Sequence, residues 1–297
     1  MSKLIAFGWY GGKFSHLDWL LPLLPQATHY CEPFGGSAAV LLNRDPAPVE
    51  TYNDIDGEVV NFFRVLRDNH EALITAIGLT PFSREELRIA SQEPLEGLSD
   101  LERARRFFVR ARQVRTGLAQ TASNGRWAHC KLTSRAGMAG AVSRWLGSVE
   151  GLSEIVQRLL RVQIENAPAI EVIRRYDTEE TLFYCDPPYV HDSRSDVNAY
   201  RYEMKNYEHR DLAEVLHNVK GKVALSGYHS RLMDELYGDW EYIESIPRKA
   251  HSTNTRADNL KQERVEVLWV NYKLPKQGNS EWRSQQTSLM PLFEEQQ

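Results

Sequence analysis

Cysteine is scarce in this chain, and long apolar runs are missing. The three cysteines, Cys31, Cys130 and Cys185, have neither paired nor metal-ligand spacing, so neither a disulfide framework nor a cysteine-built metal centre is expected. No stretch reaches the roughly 18 consecutive apolar residues of a membrane span, and the first residues do not form an apolar signal segment. The expectation is a soluble protein of a reducing compartment, without a metal and without a membrane partner. Internal repeats are missing too. So is a Gly-x-Gly-x-x-Gly turn, which disfavours a pyrophosphate-bearing dinucleotide as ligand.

An overall excess of basic charge is also absent, the net charge being −4. Its distribution is uneven. Between Leu101 and Ser148 ten Lys or Arg face the single acid Glu102, a local +9 that leaves −13 for the rest. A basic segment on an acidic body reads as a localised polyanion-binding surface. Arg103, Arg106 and Arg110 fall at i, i+3 and i+7 on one helical face, with Arg105 and Arg112 on another, so this helix is expected to contact phosphates. Arg112, Arg115, Asn124, Arg126, Trp127, His129 and Lys131 are expected to reach base edges, since Arg and Asn pair bidentately with guanine and adenine. Trp127 reads equally well as a packing residue.

A chain of 297 residues can bury a substantial core and hold one domain with an insertion. His29 to Phe34, Val49 to Asn53, Val162 to Glu165, Leu182 to Cys185 and Val223 to Ser226 read as parallel strands, each followed by a helical stretch. Ser37 is expected to cap the helix after the Gly35-Gly36 turn. Val265 to Tyr272 is a long, β-rich segment with no helix after it. The alternation predicts an α/β fold with a Rossmann-like, doubly wound sheet and ligands at the carboxyl ends of its strands. It stops over roughly 80–160, where Leu101 to Arg115 and Gly137 to Leu160 read as helical. Asn124-Gly125 suggests a hairpin pairing Gln120-Thr121 with Arg126-Trp127. The predicted organisation is a first part of the main domain over 1–79, a mostly helical insertion over 80–160, a second part over 161–274 and a mobile tail over 275–297.

The chemistry is concentrated at Asp186-Pro187-Pro188-Tyr189, which ends the apolar run Thr181 to Cys185. Two prolines after a strand can simply stop it. They also suit one difficult reaction. An exocyclic amino group on a nucleobase is a poor nucleophile, because its lone pair is delocalised into the ring. A carboxylate and a rigid backbone carbonyl that accept its N–H hydrogens localise that pair, and a stacked aromatic ring holds the base. Asp186, Pro187 and Tyr189 supply these parts. Cys185 reads as a small buried hydrophobe and His209 as a structural residue at a helix start.

Upstream, Phe7-Gly8-Trp9-Tyr10-Gly11-Gly12-Lys13 precedes His29-Tyr30-Cys31-Glu32-Pro33-Phe34-Gly35-Gly36-Ser37 and Thr51-Tyr52-Asn53-Asp54-Ile55-Asp56. A strand, a small-residue turn and a helix N-terminus bring backbone close to a ligand, and an acid ending the next strand can accept ribose hydroxyls. Asp54 and Asp56 are both candidates on chemistry alone. In this order the segments resemble the Dam-like, D12 class DNA adenine N6-methyltransferases of the alpha group, over roughly 4–68 and 162–272.

The resemblance implies S-adenosylmethionine as cofactor, with Trp9 and Lys13 closing over it, Glu32, Pro33, Phe34, Gly36 and Asp186 around it, and Asp54 on its ribose. It implies that Asp186, Pro187, Pro188 and Tyr189 act on an adenine flipped out of double-stranded DNA. The insertion becomes the target-recognition region, and Val190 to Tyr202 is expected to order over the flipped base. A cytoplasmic, nucleoid-associated protein encoded by a bacterium or phage follows, as in restriction-modification systems. Many members have Gly-x-Gly after Pro-Phe, whereas here Ser37 and Ala38 follow Gly36; the turn is expected to use Gly35 and Gly36 instead.

Methylation of adenine in RNA keeps the chemistry and changes the polymer, but a base-reading hairpin suits the major groove of DNA, which A-form RNA closes to side chains. Cytosine-N4 enzymes usually carry Ser in place of Asp186, and protein-glutamine enzymes Asn. An inactive DNA-binding regulator would be expected to have lost some of Lys13, Asp54, Asp186 and Tyr189. In the tail, Gln286-Thr287-Ser288-Leu289-Met290-Pro291-Leu292-Phe293 loosely resembles peptides that dock on bacterial sliding clamps.

Overall fold

A computed structural model describes residues 3–115, 119, 122–190, 202–245 and 265–275. Most of the expected lid, over 191–201, and the expected clamp peptide of the tail lie outside the described residues. Along the chain, α1 (Leu17–Leu20) leads to β1 (His29–Glu32), α2 (Ala39–Asn43), β2 (Val49–Asn53) and α3 (Gly57–Asp68). Then come α4 (His70–Gly78), α5 (Arg84–Gln92) and α6 (Asp100–Arg112), a small hairpin of β3 (Ser134–Arg135) and β4 (Met138–Ala139), and α7 (Gly140–Glu150) and α8 (Leu152–Leu159). The alternation resumes with β5 (Val162–Glu165), α9 (Ala169–Tyr176), β6 (Thr181–Cys185), α10 (Asn206–His217), β7 (Lys222–Gly227), α11 (Arg231–Tyr237), β8 (Glu241–Glu244) and β9 (Val267–Val270).

Among the described residues, the strands other than β3 and β4 form one seven-stranded sheet in the order β5-β2-β1-β6-β7-β9-β8. Five of them pair in parallel, and β9 runs antiparallel to both β7 and β8. This is the predicted doubly wound α/β sheet, with β8 as an additional antiparallel edge strand. From β1 the chain winds outward through β2 to β5, and from β6 it winds the other way to β7. The order therefore switches between β1 and β6, which opens a crevice at their carboxyl ends.

Alternate residues of the central strands feed two cores. Leu182 and Tyr184 face the layer built by α1 to α8, whereas Phe183 and Cys185 face α9 to α11. The helical segment after α4 shares the first core. Phe108 of α6 stacks on Phe62 of α3 at 5.7 Å and 11°, and Phe107 meets the edge of Phe7 at 5.0 Å. Each such ring contributes about 1.5–3 kcal/mol by leaving water. The two helices start at side-chain caps: Asp56 accepts from the Glu58 N–H at 3.0 Å, and Ser99 from the Glu102 N–H at 3.2 Å.

Two local expectations are corrected. Ser37 does not cap α2; the residue before the helix is Ala38, in a left-handed conformation with φ 56° and ψ 27°. Asn124-Gly125 does not form a tight hairpin turn either. Asn124–Arg126 is a 3-10 turn inside a wider loop, which is closed by the Arg115 N–H donating to the Arg126 carbonyl and the Ala128 N–H to the Gln113 carbonyl. The tight hairpin lies twelve residues later, where Ala136 and Gly137 both take positive φ, as a two-residue turn of the favoured hand requires.

Candidate active site

The turn after β1 is held by the end of β2. The Gly36 N–H donates to the Asp54 carboxylate at 2.8 Å, and the Tyr52 hydroxyl donates to the Gly36 carbonyl at 2.8 Å. Gly36 has φ 48°, and a Cβ there would lie 2.6 Å from Nε1 of Trp9, so the indole lies directly on the glycine. The turn uses Gly35 and Gly36, as expected: a Cβ on Gly35 would overlap the Tyr52 ring. Ala38 itself takes the left-handed conformation that a glycine would adopt freely, at a cost of about 1–2 kcal/mol. Burial raises Asp54 to about 6, against the pull of the Asp56 and Gly36 N–H groups. Burial also raises Glu32, to about 8, although it accepts the Tyr30 hydroxyl at 2.7 Å. The Pro33 carbonyl accepts the Asn53 amide at 2.8 Å, which ties the two strand ends together once more.

Across the crevice, Asp186 immediately follows β6. Both of its oxygens accept from the Lys13 ammonium, at 2.6 and 2.7 Å, and Lys13 also donates to the Gly11 carbonyl at 2.7 Å. The same ammonium lies 5.0 Å from the centre of the Tyr189 ring. It therefore sits against a carboxylate and near an aromatic ring, the two groups that a target amino nitrogen requires. The Tyr189 hydroxyl donates to Asp186 at 3.2 Å and to Glu266. Burial alone would lower Lys13, but Asp186 and Glu266 outweigh it and leave the lysine raised and charged. Burial raises Asp186 to about 6, opposed by Lys13 and reinforced by Glu266. The Cys185 thiol, buried behind the site, is pushed up by the same loss of water.

Glu266 was not anticipated from the sequence. It is 4 % exposed and lies 3.3 Å from the Lys13 ammonium. The available signal was a lone acid inside the apolar run Val265 to Val270, which calls for a partner if the run is buried.

The arginine helix is a correction. Arg103 pairs with Glu58 and Asp100, Arg105 with Glu86 and Glu102, and Arg106 with Glu102 and Glu93. Arg110 donates to the Ala90 carbonyl at 2.8 Å and lies near Glu58, while Arg112 donates to the carbonyls of Ile5 and Ala6 at 2.9 and 2.8 Å. The expected phosphate-binding arc is thus turned onto acids and carbonyls of α3, of α5 and the residue after it, of the first turn of α6 itself and of the N-terminal segment. Charge counted along the chain missed these partners because most of them lie outside the counted segment. Of the expected base readers, Arg115, Arg126, His129 and Lys131 are exposed, together with Arg135 and Arg144. Trp127 packs against Phe82 at 5.5 Å with Arg84 over its ring.

Both halves of the crevice open into one cavity of about 670 Å³, lined by Trp9, Lys13, Glu32, Pro33, Phe34, Gly36, Asp54, Asp186 and Pro188 among others. Pro187 and Tyr189 are buried just behind it. On the far wall stand Pro168, Ile170, Tyr202, Met204, Tyr207 and Asp211. This volume fits a nucleoside-sized ligand, and the carboxylates of Asp54, Asp56, Asp186, Glu203, Glu208 and Asp211 suit a ligand carrying positive charge. The glycine cradle under Trp9 and the Asp54 acceptor fit a nucleoside without phosphates.

The family profile described as D12 class N6 adenine-specific DNA methyltransferase matches residues 9–255. A Type II methyltransferase of Lactococcus lactis subsp. cremoris, M1.LlaDCHI, is 26% identical over 287 residues, covering 89% of this chain and 94% of its own length. A DNA adenine methylase of Vibrio cholerae serotype O1 is 38% identical over 77 residues, 25% of this chain and 27% of its own. Among solved structures, the rRNA methyltransferase aviRa from Streptomyces viridochromogenes covers 86% of this chain and 83% of its own, at a TM-score of 0.35 and 12% identity. With a profile match across most of its length, the chain belongs to the D12 class N6 adenine-specific DNA methyltransferases and methylates adenine in DNA.

Proposed function

We propose that the cavity binds S-adenosylmethionine beside a flipped-out adenine, and that Asp186 is the residue on which methyl transfer turns. The observation that carries this reading is the convergence of Trp9, Gly36 and Asp54 from one side and Lys13, Asp186 and Pro188 from the other on a single cavity. Bound S-adenosylmethionine supplies an electrophilic methyl group. Asp54 accepts the ribose hydroxyls, and Trp9, resting on Gly36, closes the other side. Asp186 accepts one N6–H of the adenine, and a backbone carbonyl of the Pro187-Pro188 pair accepts the other. Together they direct the nitrogen lone pair out of the ring plane and stabilise the positive charge that develops on it. Tyr189, buried just behind the cavity, fixes Asp186 through its hydroxyl.

DNA reaches this site along the segment 113–139. Arg112 anchors the start of that segment to the carbonyls of Ile5 and Ala6, next to the residues that carry Trp9 and Lys13. Arg115, Asn124, Arg126 and Lys131, with Arg135 on the hairpin, supply the contacts to phosphates and base edges. A role as the modification partner of a restriction enzyme is in keeping with the Type II relative. Long-read sequencing of DNA from a methylation-free host expressing this chain tests the reading. N6-methyladenine confined to one short motif is the expected result, and methylation of cytosine, or of adenine without any motif, contradicts it.

A further inference from the structure

Glu266 reaches the catalytic edge because of the sheet's topology. β9 runs antiparallel to β7, so its N-terminal end lies beside the carboxyl ends of the parallel strands. Glu266 immediately precedes β9. Its backbone is fixed on both sides, the Ser245 N–H donating to its carbonyl at 2.8 Å and its own N–H donating to the Ser245 hydroxyl at 3.1 Å. The side chain faces three groups of the site: it accepts the Tyr189 hydroxyl, lies 3.3 Å from the Lys13 ammonium, and shares that ammonium with Asp186.

Lys13 and the target amino group want the same acceptor. Both oxygens of Asp186 are engaged by Lys13 in this structure, and one of them also accepts the Tyr189 hydroxyl, so an approaching N6–H competes with the ammonium for the acceptor capacity that is left. Lys13 is 3 % exposed, and a buried cation released without a partner carries a large desolvation cost. Glu266 is already within ion-pair distance, so a small rotation at the end of the lysine side chain completes the transfer.

We propose that Glu266 is a positioning residue that takes over the Lys13 ammonium when the target amino group takes Asp186. This rests on the role of Asp186 proposed above. The exchange moves no proton: Lys13 keeps its three hydrogens, and the bonds that it gives up at Asp186 are replaced by N6–H. Tyr189, bonded to both carboxylates, keeps them at a fixed separation throughout.

Glu266→Gln separates charge from geometry, because the amide oxygen still accepts from Tyr189 but no longer neutralises the ammonium. Single-turnover methylation is measured on plasmid DNA from a host without adenine methylation, for Glu266→Gln, Lys13→Met, Tyr189→Phe and the pairs, alongside melting temperatures. Glu266→Gln should slow methylation by roughly tenfold or more, and Glu266→Gln with Lys13→Met should be no slower than Lys13→Met alone. Multiplying losses in that pair overturn the proposal. So does non-additivity with Tyr189→Phe only, or a rate loss that simply tracks melting temperature.

Where Lys13→Met is too slow to follow, binding of duplexes with adenine or with purine, which lacks the amino group, at the methylated position gives the same answer. Glu266→Gln should lose the preference for adenine and Lys13→Met should restore it; a preference that survives Glu266→Gln overturns the proposal. Near-normal methylation by Asp186→Ala would instead remove the role of Asp186, which keeps the two failures distinct.

Discussion

The Gly36 N–H and the Asp54 carboxylate meet at 2.8 Å, so one carboxylate both shapes the turn after β1 and lines the cavity. Asp54→Ala should therefore weaken S-adenosylmethionine binding by roughly tenfold or more, while the single-turnover rate at saturating cofactor changes much less. Calorimetric titration against the rate measurement checks the split. Gly36→Ala should give the same bias, because its Cβ would displace Trp9 from the turn. An equal fall in rate and affinity would place Asp54 in the chemical step instead.

The ion pairs of α6 lead to opposite expectations for two sets of basic residues. Replacing Arg103, Arg106 and Arg110 with Gln should lower stability by about 2–4 kcal/mol in denaturant titrations, because the buried Glu58 loses both of its arginine partners and Glu102 loses one of two. The slope of log affinity for DNA against log salt should stay the same. Replacing the exposed Arg126, Lys131 and Arg135 should leave stability intact and flatten that slope by about one unit per lost phosphate contact. A flattened slope from the first set would show that these arginines swing out to DNA.

What the sequence disclosed was local; what it concealed depended on partners far away in the chain. Lys13, Asp54 and Asp186 stand in short motifs whose chemistry is readable residue by residue, and the structure gathers all three at one cavity. β2 and β5 have the bounds that their apolar pattern predicts. The arginines of α6 looked unpaired because Glu58 is 45 residues from Arg103 and Glu86 is 19 from Arg105. Glu266 gave no motif at all, since its place at the site follows from the antiparallel direction of β9. The tight hairpin settled at Ala136-Gly137 because both residues there take positive φ, while Asn124-Gly125 spent its turn propensity on a 3-10 turn.

The raised Asp186 sets a pH dependence. The carboxylate acts ionised, so with its carboxyl at about 6 the single-turnover rate should be level above about pH 7 and fall about tenfold per unit below 6. Acid unfolding through this group does not explain such a fall. A carboxyl held higher in the folded than in the unfolded chain binds protons on folding between about pH 4 and 6, so its contribution to stability grows as pH drops through that window. Asp186→Asn, with no carboxyl to titrate, should lose this limb of the profile. A limb that persists in Asp186→Asn would assign the titration to another group.

The most direct measurement is single-turnover methylation by Asp186→Ala, with S-adenosylmethionine affinity determined on the same preparation. A contact to N6–H that strengthens as charge develops on the nitrogen lowers the chemical rate more than it weakens binding when it is lost. The rate should fall by on the order of a hundredfold or more with cofactor affinity retained, and Asp186→Asn, whose carbonyl still accepts a hydrogen bond, should fall less. Near-normal turnover by Asp186→Ala would contradict the account.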